Sequence, residues 1–180
     1  MRIEHGFDVQ ASQQVAWALL TDVPRVVPCM PGATLDRAVD DRTWEVLQTV
    51  KLGPISLQFR SEVRQEQLAE AEGIAVLAVK AQEVKGKGGA DATIRSTLSP
   101  TEIGTRVELV TELELRGAVA QYGRPVVGSV AEELTGRFAA CLASLLAEER
   151  PAEPPPQAKP VGGLRLLLRS FWRRLFRRGR

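Results

Sequence analysis

The chain has 180 residues, enough for one domain of ordinary size plus a tail. Its 44% hydrophobic and 26% charged residues are the composition of a globular protein, and no run of 18 apolar residues exists that could cross a bilayer as a helix. One histidine (His5) and two cysteines (Cys29 and Cys141) cannot supply the three or four Cys and His ligands of a zinc site, so no metal is expected and both cysteines are read as reduced, buried thiols.

The first residues, Met1-Arg2-Ile3-Glu4-His5, carry no apolar signal segment, which makes the cytoplasm the expected location. Residues 2–10 alternate, with Ile3, His5, Phe7 and Val9 in phase, and predict a half-buried strand. Ser12 caps a short helix bearing Val15, Ala16, Leu19 and Leu20, and Asp22 with Pro24 predicts a second helical turn that ends by Pro31-Gly32. From Ala33 to Leu115 the period is two almost throughout, broken at Asp40-Asp41, Gly53-Pro54, Gly73, Lys85 to Gly89, and Ser99 to Gly104. Short connections between such runs predict about six antiparallel strands. After Gly117 the period becomes three and four. Val119, Tyr122, Val126, Val130, Leu134, Phe138, Cys141, Leu142 and Leu145 form one apolar face of a long helix ending near Glu149. Pro125 either kinks this helix or delays its start. Gly123, Gly128 and Gly136 weaken it, and they serve either close packing on the sheet or room for a ligand.

The predicted order is strand, two short helices, about six strands and one long helix. It gives an α+β domain over residues 1–149 in which an antiparallel sheet curves around the C-terminal helix. Residues 150–163 contain five prolines and make a semi-extended spacer that reaches roughly 40 Å at about 3 Å per residue. Residues 164–180 are of another kind. They hold seven arginines and no acid, leaving 17 basic against 22 acidic residues in the first 163, a net charge of −5 within a chain of +2 overall. On a helix, Leu164, Leu168, Phe171, Trp172 and Leu175 share one side while Arg165, Arg169, Arg173 and Arg177 share the other; Phe176 adds a third aromatic. At 1.5 Å per residue this helix is about 25 Å long, too charged to span a bilayer but suited to lie in an anionic interface. Each arginine near such a surface is worth about 1 kcal/mol. Nucleic acid and a partner protein are the competing occupants; phosphate binding needs no apolar stripe, so nucleic acid is disfavoured.

No constellation for catalysis stands out: no nucleophile with a base, and no glycine-rich phosphate loop, since Gly86-Lys87-Gly88-Gly89 lies between strands. His5, on the apolar phase of the first strand, reads as a satisfied core histidine.

Several short motifs in a fixed order resemble a known family. They are Phe7-Asp8-Val9, Val15-Ala16-Trp17-Ala18-Leu19-Leu20, Cys29-Met30-Pro31-Gly32-Ala33, Lys51-Leu52-Gly53-Pro54-Ile55, Lys87-Gly88-Gly89-Ala90, Gly104-Thr105-Arg106-Val107, and Leu115-Arg116-Gly117-Ala118 running on to Gly123-Arg124. Together they resemble the CoxG proteins of carbon monoxide dehydrogenase, over residues 1 to about 147. The resemblance implies the helix-grip fold of the START-like (SRPBCC) superfamily, with a cavity between sheet and helix. It implies an accessory role for a molybdenum hydroxylase such as carbon monoxide dehydrogenase, through membrane recruitment of that enzyme and binding of a lipophilic electron acceptor such as menaquinone. The protein expected from these readings together is non-enzymatic, without a covalent cofactor, and peripheral on the inner face of the cytoplasmic membrane. The inward strand phase then offers Leu57, Phe59, Leu109 and Leu113 to the cavity, the helix face offers Tyr122, Val126 and Val130, and Pro31 and Gly32 stand near a mouth. Plain core is the alternative for each of these residues. A ligand-free membrane anchor and a START-like enzyme acting on a hydrophobic small molecule are the alternative functions.

Overall fold

Alternating sequence becomes sheet here with little loss of register. A computed structural model of the protein describes residues 1–52, 55–86 and 88–148; the spacer 150–163 and every residue of the amphipathic segment 164–180 lie outside the described residues. The strands are β1 (Arg2–Val9), β2 (Ala33–Asp40), β3 (Thr43–Leu52), β4 (Ile55–Ala69), β5 (Ile74–Glu83), β6 (Gly88–Thr101) and β7 (Gly104–Gly117). They form one antiparallel sheet in the order β1-β7-β6-β5-β4-β3-β2. The six strands after the short helices are therefore a meander of nearest neighbours, and β1 joins its far edge by pairing with β7.

Between β1 and β2 lie α1 (Gln13–Leu20), α2 (Val23–Val26) and a 3-10 turn at Val27–Cys29. The Ser12 hydroxyl accepts from the Val15 N–H and caps α1, while the Asp22 carboxylate accepts from the Arg25 N–H and caps α2. Three side-chain hydrogen bonds to main-chain carbonyls, given in both directions, tie this corner to the sheet. Gln13 donates to the Leu98 carbonyl at 2.9 Å, Gln65 to that of Thr21 at 2.6 Å, and fully buried Thr105 to that of Ala11 at 2.8 Å.

The long helix α3 runs from Gly123 to Glu148. Of the two roles open to Pro125, the structure takes the delayed start: residues Ala118–Tyr122 form a 3-10 turn and Pro125 falls in the first turn of α3, where its missing N–H leaves no helical bond unmade. Gly123, at φ +74°, makes the change of direction between the two.

The two halves of α3 behave differently. Leu142 and Leu146, at 0% and 5% exposure, sink into a cluster with Val9, Ala16, Leu19, Leu98 and Val107. Phe138 meets Phe7 edge to face at 6.5 Å between ring centres. In the first half, by contrast, no residue from Gly123 to Phe138 is fully buried. The cysteines depart from expectation: Cys29 and Cys141 are joined in a disulfide, not left as two reduced thiols. They stand 112 positions apart in sequence, but the 3-10 turn and the anchored half of α3 enter the same cluster, which brings their Cα atoms to 5.4 Å.

Candidate functional site

The core is not continuous. One apolar cluster lies under α1 and the second half of α3, a second joins Val23 and Val27 to Trp44 and Val46, and a third gathers Leu57, Phe59, Ala81 and Val119. Between the concave face of the sheet and the first half of α3 a cavity of about 230 Å³ stays open. Its cause is side-chain size. Ala81 and Ala90 are directly paired across β5 and β6, Ala92 follows on the same face, and Ala131 comes from the helix above, so four alanines line space that larger side chains would fill.

The strands contribute Val50, Leu57, Phe59, Val79, Leu113 and Leu115, and the helical segments Val119, Tyr122, Val127, Val130 and Leu134. Among the described residues no charged side chain lines the cavity. The polar ones are Gln48, Ser61 and Tyr122. Such a chamber suits a mostly apolar molecule with few polar points.

Of the residues offered from sequence, Leu57, Phe59, Leu113, Tyr122 and Val130 line this cavity. Four others do not. Leu109 points inward on β7 but one end too far along, packing against the cluster of Val107 and Leu142. Val126 is 41% exposed and Val127 faces the cavity instead. Val127, Val130, Ala131 and Leu134 form the arc of α3 that faces the cavity, and Val126 falls outside it. Pro31 and Gly32 form the corner into β2: Gly32 has φ +75°, its carbonyl accepts from the Thr49 N–H, and a Cβ there would strike the Thr49 carbonyl. They shape the chain path and do not line the cavity. The alanines, Gln48 and Ser61 were not singled out from the sequence, although small residues at inward positions 81, 90 and 92 of paired strands were the available signal.

Gly128 and Gly136 do not serve close packing, since a Cβ at either meets nothing within 4 Å. His5 also departs from the reading as a satisfied core residue: its Nε2 is buried with no hydrogen-bond partner among the described residues. It lines a separate cleft of about 350 Å³ with Arg124, Gly128 and Glu132. A larger hollow of about 650 Å³ lies on the outer sheet face among Arg64, Glu66, Lys80, Asp91, Glu112 and Glu114. Its mixed charges favour water, so the smaller inner cavity is the better apolar site. Among the described residues no group of three or more His, Cys, Asp and Glu side chains is placed to hold a metal ion, and no helix is long and apolar enough to cross a membrane.

Residues 6–147 match the family of CoxG, a subunit of carbon monoxide dehydrogenase. The chain belongs to the CoxG family. Solved structures similar to this CoxG-family chain include a conserved protein from Geobacillus kaustophilus, with a TM-score of 0.74 at 17% identity over 82% of this chain and 96% of that one. The ZhuI aromatase/cyclase from Streptomyces sp. R1128 aligns with a TM-score of 0.61 at 16% identity, covering 84% of this chain and 96% of that one. A START superfamily protein from Mycobacterium smegmatis aligns with a TM-score of 0.55 at 16% identity, covering 82% and 97%. At such identities these likenesses establish the START-like helix-grip fold and nothing of the chemistry. No curated protein matches this CoxG-family chain significantly by sequence.

Proposed function

We propose that this CoxG-family chain is a non-enzymatic accessory protein that holds a hydrophobic molecule in the cavity beneath α3 and recruits a molybdenum hydroxylase of the carbon monoxide dehydrogenase type to the inner face of the cytoplasmic membrane. The observation that carries the reading is the uncharged chamber of about 230 Å³, walled by alanines and aliphatic side chains where a domain of this size would otherwise be packed. A respiratory quinone such as menaquinone is the proposed ligand, its ring system inside and its isoprenoid chain leading out. The seven arginines and three aromatics of residues 164–180 supply the proposed attachment to anionic lipid, and the proline-rich spacer lets the domain reach its partner.

Solvent extraction and mass spectrometry of gently purified full-length protein test the ligand. A stoichiometric quinone supports the carrier; an empty protein that also fails to take up added menaquinone reduces it to an anchor. Deleting residues 151–180 tests recruitment: the partner enzyme should leave the membrane fraction while the domain keeps its melting temperature. An enzyme that stays on the membrane refutes recruitment by the tail.

A further inference from the structure

Apart from Tyr122 on the helical side, the polar groups of the cavity lie along one wall. Gln48 on β3 and Ser61 on β4 line it from adjacent strands. Gln48 is paired with Phe59 and Ser61 with Val46, so the two side chains are diagonal neighbours on one sheet face, about 7–8 Å apart at the backbone. Neither side chain has a hydrogen-bond partner among the described residues. Yet neither is sealed off, as the Nε2 of His5 is. Ser61 is 5% exposed overall, and the open space it lines is the cavity. On the sheet side, two satisfiable polar groups therefore face an apolar chamber with their hydrogen-bonding capacity unspent among the described residues.

Burying such groups against pure hydrocarbon strips them of water with no return, whereas a ligand oxygen placed against them restores the bond. Both groups are amphoteric. The glutamine amide donates through its NH2 and accepts through its oxygen, and the serine hydroxyl does both by rotating. We infer that the Gln48–Ser61 wall is a polar recognition strip that selects flat apolar ligands carrying an oxygen on the edge laid against β3 and β4, and that it accommodates that oxygen equally as a carbonyl or as a hydroxyl. The inference rests on the proposal that the cavity holds a hydrophobic molecule. It adds that a quinone and its quinol bind with similar affinity, because the wall needs only to reorient an amide and a hydroxyl and no charged group has to change protonation.

The test uses full-length protein and three probes of one shape: 2-methyl-1,4-naphthoquinone, the corresponding 1,4-dihydroxy compound under anaerobic conditions, and 2-methylnaphthalene. Binding is followed by calorimetry for the wild type, Gln48→Leu and Ser61→Ala. The wild type should bind the two oxygenated probes within about threefold of each other, and both more tightly than the hydrocarbon. Gln48→Leu should weaken both oxygenated probes by about three- to tenfold, the worth of one hydrogen bond, while hydrocarbon binding holds or improves. Ser61→Ala, a smaller change of shape, should act in the same direction and guards against a Gln48→Leu protein that fails to fold. Tight oxygenated-probe binding that both variants leave untouched, or a wild type that prefers the hydrocarbon, overturns the strip. Failure of all three probes to bind the wild type overturns the carrier reading beneath it.

Discussion

Removing the disulfide should show how much of the fold depends on joining the first and last thirds of the domain. In Cys29→Ser/Cys141→Ser the crosslink across 112 positions is lost. For a closed loop of that size the chain-entropy argument assigns about 5 kcal/mol to the constraint on the unfolded chain. The native contacts should survive, because Leu142, Leu146 and Phe138 hold the same half of α3 by packing alone. For a domain of this length 1 kcal/mol moves the melting temperature by about 2–4 °C, so the expected fall is about 10–20 °C. Thermal unfolding followed by circular dichroism measures it. Alkylation and mass spectrometry must show the wild-type cysteines bonded and the reduced ones free. Reduction of the wild type should reproduce the fall. Unchanged melting on proven reduction would refute the argument, since a loop this long cannot be closed in the unfolded chain without entropic effect unless that chain already holds its ends together.

Other expectations concern the cavity, the helix and the first hairpin. Ala92→Leu should fill existing space, raising stability by up to about 2 kcal/mol while abolishing ligand uptake; destabilisation on denaturant titration would mean that the space is not there. Gly136→Ala should stabilise α3 by about 1 kcal/mol, because the added methyl meets nothing within 4 Å; a loss in the same titration would show that Gly136 packs against something. Acid should loosen the β2–β3 hairpin. The hydrogen bond from Arg37 holds the Glu45 carboxyl below its usual range, and the Arg42 N–H does the same for Asp40. A lowered folded-state pKa contributes stability that is complete above the unfolded-chain value, near 4, and is lost as pH falls through the folded value. Protection of the amides in residues 33–52, taken relative to their intrinsic exchange rates at each pH, should therefore fall below about pH 4, less so in high salt; protection that does not respond to pH would count against both bonds.

Much of the scaffold was readable because it depends on local periodicity. Strands whose outward positions are Arg60, Glu62, Arg64 and Glu112 can bury only one face, so their register shows in the residues themselves. Ser12, Asp22 and Pro24 marked the short helices by the chemistry of their caps. The site was less legible. Leu57 and Phe59 have the same phase as Leu109, yet position along the curved sheet sends the first two to the cavity and the third to the anchored core. Val126 and Val127 both lie near the edge of the apolar stripe, and only the way α3 lies over the sheet puts Val127 inside the cavity and leaves Val126 exposed.

Element order, sheet phase and the contrast between an acidic body and an arginine-rich end were legible in the residues alone, since each follows from near neighbours or from composition. The meeting of Cys29 with Cys141, the lack of a partner for His5 Nε2 among the described residues, and the convergence of four alanines from three elements under one helix to leave a chamber emerge only in the folded chain. Those outcomes depend on what distant segments place opposite one another, and an empty volume in particular is a property of facing surfaces that no single stretch of chain encodes.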